Sequence, residues 1–407
     1  MATVQERTDR SAAELIALEG RFGAANYAPL PVVVVRGEGA YVWDVAGRRY
    51  LDCISAYSAV NQGHCHPRIR AALARQSERL TLTSRAVHND QLPPLLAELC
   101  AYSGQEMALV MNTGAEAVET AIKLARRYGY RVKGIAPNCA RIIVCANNFH
   151  GRTTTVISAS SERQYRADFG PFTPGFTIVP YGDAAALRAA LGDDVCALLI
   201  EPIQGEGGVV VPPDGYLAAA QALCREHDVL FVADEIQTGF GRTGARFALD
   251  LDGIVPDVIV VGKALAGGFY PVSATLASRR LMELFGPGDH GSTFGGNPLG
   301  CAVARAALAV VVDERLAQNA RDRGAELIAR LRSFAHPRVK EVRGRGLMIG
   351  VELDVPANRL ATLLLAEGLL AKDTHETVLR IAPPLVVSAD QVDEIATGLE
   401  RALARLD

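Results

Sequence analysis

The chain contains no C-x-x-C pair, no block of lysine or arginine, and no apolar run approaching the ~20 residues that a membrane-spanning helix needs. Each absence closes off a class of protein. Eight scattered cysteines without a paired spacing read as reduced thiols, which argues against a disulfide frame and a zinc site and for a cytoplasmic protein. A formal net charge of −3 with no basic tract makes nucleic acid an unexpected partner. Residues 1–20, MATVQERTDRSAAELIALEG, lack the apolar centre of a secretion signal, and their four acids do not suit an organelle transit peptide. The expectation is a soluble, cytoplasmic protein with no membrane partner.

Aromatic residues are also scarce, at 6%, whereas hydrophobic residues make up 49% of the 407 positions. Small and branched aliphatics of that kind pack helices closely onto a buried parallel sheet. The order of the runs agrees with this. Residues 1–60 predict a short helix and a β-meander, with turns at RGEG and VAGRR. Between 61 and 309 the strand-like runs 108–111, 141–146, 197–202, 229–235 and 257–262 alternate with helical segments, which implies a large, doubly wound, mostly parallel α/β domain. From 310 to 407 a long amphipathic helix, GRGLMIGVEL (344–353), a helix over 357–368, VLRIAPPL (378–385) and a final helix predict a smaller α+β domain.

Lys263 stands out in VGKALAGG (261–268), behind the apolar run DVIVV. A lysine kept from water loses its proton readily and becomes a nucleophile. The run VLFVA ends in Asp234 and Glu235, so an acid emerges at the carboxyl edge of the sheet, where open α/β sheets bind ligands. Lys263 follows the next predicted strand and reaches the same edge. A P-loop is excluded because Asp257 and Ala264 break G-x-x-x-x-G-K-[ST]. A buried salt bridge and a Schiff-base site remain. The second needs a lysine for the imine, an acid for a pyridine nitrogen, and a phosphate seat. NTG running into a helix at 112–114 offers that seat through Thr113, Gly114 and Ala115, with free N–H groups and the positive end of the helix dipole.

These residues lie in stretches that resemble the class III (fold type I) pyridoxal phosphate aminotransferases: MNTGAEAVETAIKLAR, NFHGRT, EPIQGEGGVVVPP, DEIQTGFGRTG, GKALAGGFYPVSA, HGSTFGGNPLG and LRIAPPL. TLTSRA belongs to the same resemblance, and NYAPLPV and SAYSAVNQGHCHP tilt it toward the ornithine δ-aminotransferases within that class. The likeness covers nearly the whole chain, from about Asn26 onward. It implies pyridoxal 5'-phosphate as cofactor, with Lys263 as the Schiff-base lysine, Asp234 at the pyridine nitrogen, Gln237 at the ring hydroxyl, and Phe149 or His150 stacked on the ring. Ser292 and Thr293 would reach the phosphate from the neighbouring subunit, making a homodimer the smallest active unit.

The same resemblance implies Tyr27, Tyr57, Arg152, Glu201, Glu206 and Arg380 as substrate contacts. Arg152 and Arg380 would suit a dicarboxylate, because a guanidinium binds a carboxylate through two parallel hydrogen bonds. Glu206 would pair with Arg380 while ornithine is bound. The implied reaction moves the δ-amino group of L-ornithine to 2-oxoglutarate, giving glutamate 5-semialdehyde and L-glutamate. Alternatives are another ω-amine donor (N-acetylornithine, a hydroxylated ornithine, lysine or 4-aminobutyrate) or a non-catalytic protein that kept the fold. His64 and His66 have no evident acid or thiol partner for a metal site. Arg343 and Arg345 read as a turn entering a strand, and Trp43 as a packed hairpin residue.

Overall fold

A computed structural model describes residues 10–406. Its largest sheet has seven strands: β1 (Met107–Met111), β2 (Arg141–Cys145), β3 (Phe176–Val179), β4 (Val195–Ile200), β5 (Leu230–Asp234), β6 (Val258–Val261) and β7 (Ser273–Ala277), in the order β1-β7-β6-β5-β4-β2-β3. The five strands from β6 to β3 run parallel. Only β7 runs antiparallel to its neighbours β1 and β6. Every residue of β4, β5 and β6 is buried, as expected of strands covered on both faces.

One face is covered by helix α1 (Gly114–Arg131), whose Ala117, Ala121, Leu124 and Ala125 pack with Ile142, Leu199 and Val232. Thr113 and Glu116 begin this helix with a reciprocal capping box. On the opposite face Leu217, Ala220 and Cys224 pack with Ile143, Leu198 and Phe231. β3 and β7 were not anticipated from the sequence. SATLA lacks the run of branched residues that marks a buried strand, and FTIV is a short strand at the sheet's edge.

The meander expected near the N-terminus is present as Val34–Glu38, Tyr41–Asp44 and Arg49–Asp52, with Trp43 under the Arg36 guanidinium. Its fourth strand comes from Leu369–Leu370, paired parallel to Arg49–Asp52. The preceding helix, Ala12–Phe22, buries none of its residues. Toward the C-terminus, Val339–Arg345, Met348–Leu353, Val378–Ile381 and Lys372–Thr374 form an antiparallel sheet, accompanied by the helices Leu316–Ser333, Ala357–Ala366 and Ala389–Leu403. Arg343 and Arg345 therefore lie within a strand, and the hairpin turn follows them at Gly346. Among the described residues no helix is long and apolar enough to cross a membrane.

The two histidines of GHCHP do have acid partners, contrary to the sequence reading. His64 Nε2 lies 2.8 Å from Asp52 and His66 Nε2 lies 3.0 Å from Glu314. The acids come from separate parts of the chain, so neither pairing could be read from local spacing.

Candidate active site

The carboxyl ends of β1, β5 and β6 and the segment after β2 surround a cavity of about 210 Å³. Gly114, Ala115, Phe149, His150, Glu201, Glu206, Asp234, Gln237 and Lys263 all line it. Thus residues that are far apart in sequence meet at the edge where an α/β sheet presents its ligand.

Lys263 begins a single 3-10 turn, Lys263–Ala266, directly after β6, and holds a left-handed backbone at φ +44°. For a non-glycine residue this conformation is strained and is kept only where the surroundings dictate it. Ala264, Leu265 and Ala266 are buried around it. Burial pulls the Lys263 ammonium below its usual range, and the nearby Arg380 charge adds to this against the opposing pull of Glu206, Asp234 and Glu201.

Asp234 closes β5 and is almost wholly buried. Its Oδ1 accepts from the Ile236 N–H at 3.1 Å, and its Oδ2 lies 2.7 Å from His150 Nδ1. Burial alone would lower the His150 imidazole, but the Asp234 hydrogen bond and charge hold it above its usual value. His150 Nε2 is buried without a partner. Glu235, one residue on, faces the other way. Its carboxylate caps the Ala248 and Leu249 N–H groups at 3.0 Å and has no part in the cavity.

Glu201 is buried and pushed up to about 7 by desolvation. It accepts from the N–H groups of Phe149 at 3.0 Å and Gly205 at 3.3 Å, so it fixes two walls of the cavity at once. Gly205 leaves room for the Gln237 amide, because a Cβ there would fall 1.3 Å from Gln237 Oε1 and displace that side chain. Gln237 in turn donates to Glu206 Oε1 at 3.2 Å and to the Tyr57 carbonyl at 3.4 Å.

Glu206 Oε1 also accepts from Arg380 Nη1 at 2.6 Å, and Arg380 is buried. Burial would raise the Glu206 carboxyl, yet the charges of Arg380 and Lys263 and the hydrogen bonds from Arg380 and Gln237 hold it below its usual range. Arg380 lies over the Tyr57 ring at 4.8 Å, and its Nη2 is buried with no acceptor. Tyr57 belongs to a turn in which Ser55, Ala56, Tyr57 and Ser58 all have positive φ, although none is glycine. Such a left-handed turn costs roughly 1–2 kcal/mol per residue.

The remaining candidates do not line the cavity. Arg152 is exposed, 4.1 Å above the Tyr165 ring and 5.7 Å from that of Phe149. Tyr165, which no motif marked, feels the charges of both Arg152 and Glu206. Tyr27 is 73% exposed and close enough to Tyr57 to influence its hydroxyl. Thr113 is exposed and occupied in capping α1. Ser292 Oγ accepts from Asn112 Nδ2 at 2.8 Å within the chain, and Thr293 is exposed. Ile203 and Ile236 also line the cavity and were not anticipated. Both sit between the polar positions of motifs that were recognised.

A phosphorylated pyridine suits these groups. The N–H groups of Gly114 and Ala115 open α1, where no intrahelical acceptor exists for them. They face a small cavity that also holds a buried carboxylate and a lysine with a lowered affinity for its proton.

The family model for class-III aminotransferases matches residues 22–403. Ornithine aminotransferase of Bordetella pertussis is 55% identical over 390 residues, spanning 95% of this chain and 95% of its own. A crystal structure of ornithine aminotransferase from Toxoplasma gondii superposes with a TM-score of 0.96 at 45% identity, covering 97% of this chain and 96% of that one. Acetylornithine aminotransferase from Elizabethkingia anophelis follows with a TM-score of 0.89 at 44% identity, over 98% and 100% of the two chains.

Proposed function

The chain belongs to the class-III aminotransferases, and on that footing we propose that it moves the δ-amino group of L-ornithine to 2-oxoglutarate, giving glutamate 5-semialdehyde and L-glutamate. The observation that carries the substrate assignment is the state of Arg380. One of its nitrogens is held by Glu206, and the other is buried without an acceptor. A buried guanidinium with a free donor suits a carboxylate that binds through both nitrogens, and the Glu206 carboxylate stands in for it when the substrate has none at that position.

The enzyme depends on pyridoxal 5'-phosphate, which when bound supplies the carbonyl that takes up the amino group and a ring that withdraws electrons from the substrate carbon. Gly114 and Ala115 would hold its phosphate, Asp234 its ring nitrogen and Gln237 its hydroxyl, with Phe149 or His150 against the ring. Lys263 Nζ would anchor it and, once displaced, carry the proton to and from the substrate carbon. The lowered proton affinity of Lys263 increases the fraction that is neutral and able to accept that proton. Glu201 keeps Phe149 and the Gly205 loop in place around these groups. We also assign the protein to the cytoplasm, which its eight free cysteines support, and to a homodimer in which Ser292 and Thr293 complete the phosphate seat of the other subunit.

Glutamate places a carboxylate on the carbon that bears the reacting nitrogen, whereas ornithine entering by its δ-amine does not. Glu206 would neutralise Arg380 for ornithine and move aside for glutamate. Glu206→Gln should therefore lower kcat/KM in the ornithine half-reaction roughly 10- to 100-fold, about 1.4–2.7 kcal/mol, while sparing or speeding the glutamate half-reaction. Stopped-flow measurement of each half-reaction decides, and an equal loss in both removes the switch.

The likeness to an acetylornithine enzyme gives a second reading its footing. Tyr27 separates the two, because its phenol can accept from the α-ammonium of ornithine, a charged donor that acetylation neutralises and enlarges. Tyr27→Phe should cost ornithine about tenfold in efficiency and N-acetylornithine far less. Steady-state assays with both donors test this, and equal losses favour the acetylated substrate.

A further inference from the structure

Arg242 heads the largest fully buried side chains among the described residues, yet it does not line the cavity. Its four hydrogen bonds go to neutral acceptors on three separate stretches of chain. Nη1 donates to the carbonyls of Leu347 at 2.8 Å and Pro383 at 2.6 Å. Nη2 donates to Ser55 Oγ at 3.0 Å and Asn61 Oδ1 at 2.6 Å. Burial draws the guanidinium down to about 9, with Asp52 opposing that shift and Arg380 adding to it. A buried cation without a carboxylate in contact is costly, and core packing could be achieved without it.

Its acceptors point to a purpose. Ser55 starts the left-handed turn that carries Tyr57, and Pro383 follows the strand that carries Arg380. The two segments are latched at this point by further hydrogen bonds, from Ser55 Oγ to the Ala382 carbonyl at 2.6 Å and from the Leu385 N–H to the Asn61 carbonyl at 2.8 Å. Once Glu206 releases Arg380, the Tyr57 ring 4.8 Å below is what still sets the direction of the guanidinium.

We propose that Arg242 is a positioning residue for the carboxylate clamp: it holds the left-handed turn 55–58 against 382–385, and so keeps Tyr57 beneath Arg380 and the guanidinium facing the cavity. Only a planar fork can serve acceptors on both sides in this way, so lysine cannot replace it. This rests on the dicarboxylate reading of Arg380 given above.

The test uses the holoenzyme and the variants Arg242→Lys and Asn61→Ser, the second removing a single acceptor in case the first does not fold. Binding of glutarate, a dicarboxylate that cannot react, is measured by calorimetry, and the ornithine and glutamate half-reactions are followed separately. In whichever variant folds, glutarate Kd and the glutamate concentration for half-maximal rate should rise, by about tenfold for Arg242→Lys, while the limiting rate with ornithine stays within about threefold. Parallel losses in both half-reactions, or unchanged glutarate binding, would overturn the proposal and leave Arg242 a purely structural residue. A wild-type enzyme that fails to bind glutarate or to use ornithine counts instead against the substrate reading.

Discussion

Lys263→Ala should leave a folded protein whose turnover is lowered by at least about 10⁴-fold, the scale expected when a positioned acid–base group is removed, with the loss of covalent anchoring added to it. No other lysine lines the cavity, so none is placed to take over. The fold should tolerate the change. The left-handed backbone at φ +44° is no worse for alanine than for lysine, and the substitution removes a cation that the protein has to desolvate. The melting temperature of the cofactor-free protein should therefore hold or rise. Borohydride treatment of wild type should fix the cofactor covalently, and of the variant should not. Covalent fixation in Lys263→Ala, or activity within tenfold of wild type, would show that another residue does this work.

Asp234→Asn should lower kcat by roughly 10²- to 10³-fold, the range seen when one preorganised electrostatic group is lost. The amide keeps an oxygen for the Ile236 N–H, so the end of β5 should remain as it is. Two things change together. A neutral amide cannot hold a proton on a facing pyridine nitrogen, and His150 loses the carboxylate that keeps its imidazole above the usual range. Circular dichroism should match wild type while single-turnover rates fall with both substrates alike, in contrast to the one-sided effect expected at Glu206. Full activity in this variant would remove Asp234 from the chemistry.

The sequence made the centre of the site legible and left its supports hidden, for physical reasons. Asp234 and Lys263 each end an uninterrupted apolar run, and parallel strands deliver such ends to one edge, so their meeting could be inferred without a structure. Glu235 illustrates the limit. It is as acidic as Asp234 and adjacent to it, and only the alternation of side chains at the end of β5 sends it to cap Ala248 and Leu249. Nothing in GFGRTG marks Arg242 as a buried hub, because its acceptors come from stretches 105 to 187 residues away. The left-handed turn at 55–58 was equally hidden. SAYS has no glycine or asparagine to advertise positive φ, and the conformation is imposed by tertiary contacts rather than by local preference. β7 escaped notice because small residues suffice for a strand held between two others.

The small sheet near the N-terminus has a consequence for how the chain reaches its native state. Its fourth strand is Leu369–Leu370, and the Ser55 hydroxyl just beyond it bonds to a carbonyl 327 residues away. During synthesis the first segment emerges long before these partners exist, and contacts of such high sequence separation are closed slowly. Residues 34–58 must therefore wait, with their strand edge unpaired, until the ribosome has released nearly the whole polypeptide. The Tyr57 turn therefore cannot take up its native bond from Ser55 to Ala382 before that distant stretch has been synthesised.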